Sequence, residues 1–507
     1  MKKIICLLLA ILLVLPLAVA CNNDEKPPVT TGDNTGDTTT APDGTEPAVT
    51  SDAETSDENM LKVPTDELDF ENEEVVITAF DWQGYKYYFF AEEESEDPME
   101  AAIYNRRRSV EEAIGVAITE RMYATYDEMY SAMEQSVGTG DDAMQIVLTH
   151  CISRLSTYTS GGTLFPLDEL PYVNLDADWW NKEQMGSLKL GSHYLLGAND
   201  YMLPCPYAIF FNKDMITNLG IENPYDLVEK NEWTIDKYEE LARAASRDAD
   251  SSGTYDENDY YGISCQNGGG STFLSFWSAS EQFMAYKDDD GKLSIFENNE
   301  KAQDICETVA QWSKDHLICP FPSGKSTDAI HMSTNHVLFW MSNIAGAEEL
   351  RDTDVDYGIV PFPKYDSEQE NYYSLDWGGL MVVPTTIRNP EMVGATVELL
   401  AYGSDVEGGV IDTYYDLVLD GQLSQDPTAP QMLDILFDTI CYDPGVTFWG
   451  LSGSYLQLFY YPWNYGVLQG RSDFSSFYAS NKEGAQKFID DYYEALAIYD
   501  SLDGWFG

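Results

Sequence analysis

Positive charge is what this 507-residue sequence has least of: 28 Lys and Arg stand against 87 Asp and Glu, for a formal net charge of −59. A surface so acidic repels nucleic acid and anionic lipid, and it turns away strongly anionic ligands unless a local basic pocket receives them. The one dense basic run, Arg106-Arg107-Arg108, falls inside a predicted helix rather than at a strand end, where ligands collect. Histidine is as scarce. The five, His150, His193, His316, His331 and His336, contain no H-E-x-x-H pair, and each reads as a satisfied polar or surface residue. There is no G-x-S-x-G turn, and Gly268-Gly269-Gly270-Ser271-Thr272 lacks the lysine that a phosphate cradle needs. These gaps remove zinc peptidases, α/β-hydrolases and P-loop NTPases. Paired carboxylates remain for catalysis, and any chain this acidic supplies them.

Cysteine is limited to eight. Cys6 and Cys21 belong to the N-terminal region. The other six, Cys151, Cys205, Cys265, Cys306, Cys319 and Cys441, allow fifteen pairings, and none is close enough in sequence to choose; buried free thiols fit equally well. Apolar runs of membrane-spanning length are also missing beyond the first twenty residues, which predicts a soluble body.

Turning to what is present, Met1–Ala20 carries Lys2 and Lys3, an apolar run from Ile4 to Leu15, then Ala18-Val19-Ala20 before Cys21. That is the pattern of a secretory signal. The small residues before Cys21 resemble a bacterial lipobox, which implies a lipidated Cys21; an ordinary signal cut at Ala20 is the alternative. Residues 21–62 are dominated by Thr, Asp, Gly, Pro, Ser and Glu, from which no core can be built, so a disordered tether is expected.

Residues 63–507 are too many for one compact domain, and two lobes are expected. Val75–Phe80 reads as a buried strand ending in Asp81-Trp82. Asp97-Pro98 opens a helix reaching Gly115; Val116–Arg121 is the next strand, Tyr126–Val137 the next helix, and Met144–Leu148 a third apolar run. Strands alternating with helices predict parallel βαβ units, an α/β fold. From Tyr207 the chain reads strand (Ala208–Phe211), short helix (Lys213–Leu219, closed by Gly220), then a loop to Trp233 and a helix capped by Thr234. Helices follow at Pro390–Tyr402, Gln431–Ile440 and Lys482–Tyr499.

This stretch resembles the corresponding segment of the extracellular solute-binding proteins of ABC transporters, the maltose-binding-protein-like group. Gly162–Asp168, Asp178–Asn181, Tyr194–Asp200, Asn335–Trp340, Asp356–Tyr365 and Val383-Pro384 continue the likeness in the same order. The resemblance implies a two-lobed periplasmic-binding-protein-like (type II) α/β fold with a hinge. Lobe 1 would take about 70–205 and 376–430, and lobe 2 about 206–375 and 431–507. The chain would cross first near Pro204–Phe211 and return near Tyr373–Val383. It also implies a monomer, lipid-anchored on the extracellular face of a bacterial cytoplasmic membrane, that captures a carbohydrate and hands it to permease subunits without catalysis. A binder of another solute, such as a peptide or a polyol derivative, a surface glycan-binding protein and a lipid-anchored glycosidase are the alternatives.

Neutral sugars need flat rings to stack on and Asp, Asn or Gln to hydrogen-bond. The candidates are Asp81 and Trp82 beyond the first strand, Asn199, Asp200 and Tyr201 ahead of the first crossing, Asp376 and Trp377 at the return, and Trp449 before a Gly-Leu-Ser-Gly turn. Trp179, Trp180, Trp312 and Trp340 read as packing. No cofactor is required. Asp248-Ala-Asp250-Ser-Ser252-Gly253-Thr254-Tyr-Asp256-Glu-Asn-Asp259 has the oxygen positions and central glycine of a calcium loop, with Asp where Glu is usual at the end. It reads as a structural calcium site or as an acidic surface turn.

Overall fold

A computed structural model of the chain describes residues 60–81, 90–91, 95–151, 155–256, 258–265, 270–288, 291–319, 332–351, 353–419, 423–449, 458 and 470–500. The signal, Cys21, the tether up to residue 59, Trp82 and the turn after Trp449 lie outside these residues. The last tether positions are already attached to the body: Lys62 Nζ donates to Asn174 Oδ1 at 2.8 Å and Asn174 Nδ2 donates to the Met60 carbonyl at 3.3 Å.

The first sheet holds β1 (Glu73–Phe80), β2 (Val116–Tyr123) and β3 (Ile146–His150), all parallel, with β1 in the middle. The linking helices form where the sequence caps them. Asp97 accepts from the amides of Met99 and Glu100 to start Pro98–Ile114, and Gly115, at φ 65°, ends it in the left-handed region that glycine adopts at least cost. Its Ile103, Val110 and Ile114 are buried against the sheet side. Thr125 and Gly140 bracket Tyr126–Thr139 in the same way.

The second sheet is built from β4 (Tyr207–Asn212), β5 (Tyr261–Cys265), β8 (Val337–Asn343) and β9 (Tyr357–Val360) in the order β5-β8-β4-β9. All six residues of β4 are buried, which is why it reads as a continuous apolar run rather than an alternation. The helix Ile235–Ala245 lies on this sheet so closely that a Cβ at Gly262 would collide with the backbone of Ala242. A hairpin, β6 (Ala285–Lys287) with β7 (Leu293–Ile295), stands apart from both sheets.

Two strands break the expected parallel rule. β4 runs antiparallel to β8 and β9, and β11 (Gly379–Val382) runs antiparallel to β3. Each is the first strand after the chain passes from one sheet to the other. The reason is reach: Asp376–Gly378 spans at most about 11 Å when extended, too short to carry the chain past the roughly 17 Å of a five-residue strand to its far edge. The chain therefore enters the first sheet at the end of β3 nearest the junction and runs back down, and β4 enters the second sheet in the same sense. Tyr207 thus pairs with Asn343, the last residue of β8, and Gly379 with His150, the last of β3. Both entry points lie at the carboxyl ends of the parallel strands.

Three segments meet side by side at the junction. Pro206 bridges to Asp376, and β10 (Ser374–Leu375) pairs in parallel with β12 (Ile440–Cys441). The Asp376 amide donates to the Cys441 carbonyl at 2.9 Å. The helix Pro390–Asp405 packs on Pro98–Ile114 of the first lobe, whereas Ala429–Asp438 packs on β9 of the second. Asp426, ahead of the latter, is bound at 2.6 Å by both Lys213 Nζ and the Tyr225 hydroxyl. Among the described residues no helix is long and apolar enough to cross a membrane.

Candidate functional site

Because both sheets present their carboxyl ends at the junction, the side chains there define the site. Trp377, half-buried, sits between the last residue of β3 and the first of β4. The ring of His150 meets it edge-on at 6.0 Å and 83°, and the ring of Tyr207 at 6.2 Å and 75°. The Cys151 amide donates to the Gly378 carbonyl at 3.2 Å, fastening the loop that carries Trp377 to the end of β3. Burial pushes the His150 imidazole down to about 3, so it is neutral at physiological pH, and its Nδ1 lies 3.8 Å from the Cys151 sulfur. Asn343, opposite Tyr207 on β8, keeps its Oδ1 buried with no hydrogen-bond partner. A half-buried ring flanked by a neutral imidazole, with an unpaired amide oxygen buried on the neighbouring strand, suits an uncharged, hydroxyl-bearing ligand.

Asp81 is exposed just past β1, with its amide bonded to the Tyr123 carbonyl at 2.7 Å. Trp82 lies outside the described residues, and so does the side chain of Trp449. The Asn199–Tyr201 group stands further inside. Asn199 and Tyr201 are buried, and the Arg106 guanidinium lies 4.3 Å from the centre of the Tyr201 ring. Asp200 is half-buried; burial first, and then the charges of Asp405 and Asp178, push its carboxyl well above the ordinary range. Asp376 is 2% exposed, and its two oxygens already accept from the amides of Cys205 and Gly378 and from the Tyr442 hydroxyl. Of the sequence candidates, Trp377 and Asp376 therefore stand at the junction, the first half-buried and the second fully buried.

His150, Tyr207 and Asn343 were not among the sequence candidates. His150 and Asn343 close apolar strands, and the rule that ligands gather at carboxyl ends points to both. Tyr207 begins its strand, so only the antiparallel direction of β4 puts it there.

In the acidic loop, one oxygen each of Asp248, Asp250 and Asp259 lies within 4.8 Å of the others. Gly253 takes φ 79° at the turn and donates to Asp248 at 2.7 Å, which holds that carboxyl below its usual value. Asp259 is 2% exposed and accepts from the amides of Ala249 and Asp256, both at 2.8 Å. Ser252, Thr254 and Asp256 are exposed on the same loop.

No protein-family model matches the chain, and no curated protein does either. Solved structures do. An ABC substrate-binding protein from Listeria monocytogenes in complex with cycloalternan superposes with a TM-score of 0.56 at 13% identity, covering 83% of this chain and 99% of that one. The GacH receptor of Streptomyces glaucescens, solved unliganded and with acarbose, gives 0.55 at 13% identity over 83% and 100%. The fold is that of the two-lobed, type II solute-binding proteins. A third such structure, the galacto-N-biose-/lacto-N-biose I-binding protein of the ABC transporter from Bifidobacterium longum in complex with lacto-N-biose, gives 0.56 at 12% identity over 83% and 98%. Type II architecture agrees with the three segments at the junction and with both sheets turning their carboxyl ends towards it.

Proposed function

We propose that this protein is the lipid-anchored, extracellular substrate-binding subunit of an ABC importer and that its solute is a carbohydrate, most simply an oligosaccharide. The observation that carries this is Trp377, half-buried at the junction between the last residue of β3 and the first of β4, with a neutral His150 at its side. The solute would lie between the lobes with a sugar ring against Trp377, and Asp81, Trp82 and Trp449 would complete the contacts. Asn199, Asp200 and Tyr201 would support the first crossing from behind. Closure is a population shift, driven only by contacts the solute makes with both lobes at once. The closed form would dock on permease subunits as a monomer, and no bond in the solute is broken. Cys21 carries the acyl chains in this reading, and the tether lets the body face its partner. The loop Asp248–Asp259 enters as a structural calcium site, with Asp248, Asp250, Ser252, the Thr254 carbonyl, Asp256 and Asp259 as ligands, fixing Ile235–Ala245 against β5.

A thermal-shift screen of residues 57–507 against oligosaccharides, polyols and peptides tests the proposal, since a ligand specific for the native state raises stability by RT ln(1 + [L]/Kd). An oligosaccharide that stabilises and is recovered unchanged is the expected result. Cleavage of the hit would replace binding with glycosidase activity, and hits confined to peptides would replace the solute class. Loss of acyl label in Cys21→Ala checks the anchor separately.

A further inference from the structure

We infer that Asp376 is the positioning residue of the hinge, a proton-controlled clasp that joins the three junction segments in one arrangement when ionised and in another when protonated. This rests on the hinge-closure reading above, but not on the identity of the solute.

The ionised arrangement is the observed one. Oδ1 accepts from the Cys205 amide of the first segment at 3.1 Å and from the Gly378 amide of its own segment at 2.8 Å. Oδ2 accepts from the Tyr442 hydroxyl of the third segment at 2.9 Å. One carboxylate thus touches all three segments. A carboxyl that gains a proton must donate it, and an amide N–H cannot accept it. The Tyr442 oxygen can. Its hydroxyl also lies 3.5 Å from the Gly379 carbonyl, so it can accept from Oδ2–H and turn its own hydrogen to Gly379. Gly379 is the first residue of β11, already tight against Met202. Protonation therefore reverses the Asp376–Tyr442 bond and turns the Tyr442 hydrogen towards the first sheet, with one proton taken from solvent and no bond left unmade.

The surroundings place this change in an accessible range. Burial pushes the Asp376 carboxyl up to about 6, outweighing the hydrogen bonds from Tyr442, Cys205 and Gly378, which favour the ionised form. Facing it are Cys205 from the first segment, Cys151 beyond β3, and Cys441 and Tyr442 from the third segment. Burial pushes the Cys151 and Cys441 thiols and the Tyr442 phenol far above their ordinary values, and it keeps the nearby His150 neutral. Asp443, next along the third segment, acts on Cys441 and is itself tied to the Met284 amide at 2.7 Å.

Nitroxide labels on Gln135→Cys and Glu240→Cys, exposed positions on helices of the first and second lobes, report the lobe separation with no solute added. The inter-label distance distribution is expected to change between pH 5 and pH 8 with a midpoint at about 6, to which burial raises the Asp376 carboxyl. Asp376→Asn, which keeps the shape and cannot ionise, should flatten that response. Tyr442→Phe, which removes the relay, should flatten it too and serves if the Asn variant does not fold. A parent distribution that ignores pH, or a midpoint that survives in either variant, overturns the clasp. Failure here leaves the carbohydrate reading standing, and an empty solute screen beside an intact pH response counts against the solute alone.

Discussion

The two sheets share a plan and differ in filling. The first is packed with aliphatic residues, Val75, Ile77, Ile118, Ile146 and Leu148 among them, and each is at most 3% exposed. The second is packed with rings. Tyr238 stacks on Phe339 at 4.7 Å, Trp340 lies against Phe210 at 5.3 Å, and Trp233 and Trp312 close the same face as Tyr238. The Trp233 and Trp312 N–H groups reach the Pro361 carbonyl and Glu239, both at 2.8 Å, which lets large polar-tipped rings be buried. Abundant aromatic residues were therefore a poor guide to a sugar site. Most of the described tryptophans serve packing, and a ring at the junction is distinguished by position alone.

The largest test of this contrast compares the cores. Trp340→Ala should destabilise by about 3–5 kcal/mol, and Ile77→Val in the first sheet by about 0.5–1.5 kcal/mol, read from denaturant unfolding. Equal losses would mean the two fillings are equivalent.

Next comes pH. Burial pushes Asp376 up to about 6 and Asp443 up to about 7, whereas both ionise near 3.9 when unfolded. Between those values the native state binds more protons than the unfolded one. Their contribution is thus complete below pH 4 and lost as pH rises through about 6 and 7. Two units on Asp376 amount to roughly 3 kcal/mol. Asp376→Asn should remove the lower part of that loss in pH-dependent unfolding; an unchanged profile would assign it elsewhere.

Trp377→Ala should weaken a solute found by the screen about tenfold, or about 1.4 kcal/mol, while unfolding stays close to that of the parent. Calorimetric titration reads the first and denaturation the second. A large stability loss would return Trp377 to the packing class. The smallest effect is at the acidic loop, where calcium should raise the melting temperature by about 1–2 °C and Asp250→Asn should abolish the rise. A melting temperature indifferent to EDTA leaves an acidic turn.

Much of the local structure was legible in the residues. Asp97 and Thr234 cap the helices they precede, and Gly115 and Gly220 end theirs, because capping depends on a few neighbouring atoms; the helix expected over Tyr126–Val137 runs on to Thr139, where Gly140 ends it. The packing roles of Trp179 and Trp180 held as well, since both rings are buried and both N–H groups bond to Glu398, at 3.0 and 2.7 Å. The place of Trp377 at the junction was legible from its position beside a crossing. His150 was read as an ordinary polar residue, because its meaning depends on where Gly379 pairs.

The sequence by itself determined the βα alternation, the helix ends, the acidic surface and the likeness to solute-binding proteins. The first three follow from short-range periodicity, from single capping atoms and from composition, and the likeness from the order of matching segments along the chain. Only the tertiary structure decided that β4 and β11 run antiparallel, that His150, Tyr207 and Trp377 meet, and that Asp376 turns inward to hold three segments. For β11 the direction is set by the reach of the few residues that follow the junction, and no local pattern records it. Which of two neighbours, the aspartate or the tryptophan, turns inward is decided by where the sheets meet, since extended chain only makes successive side chains alternate.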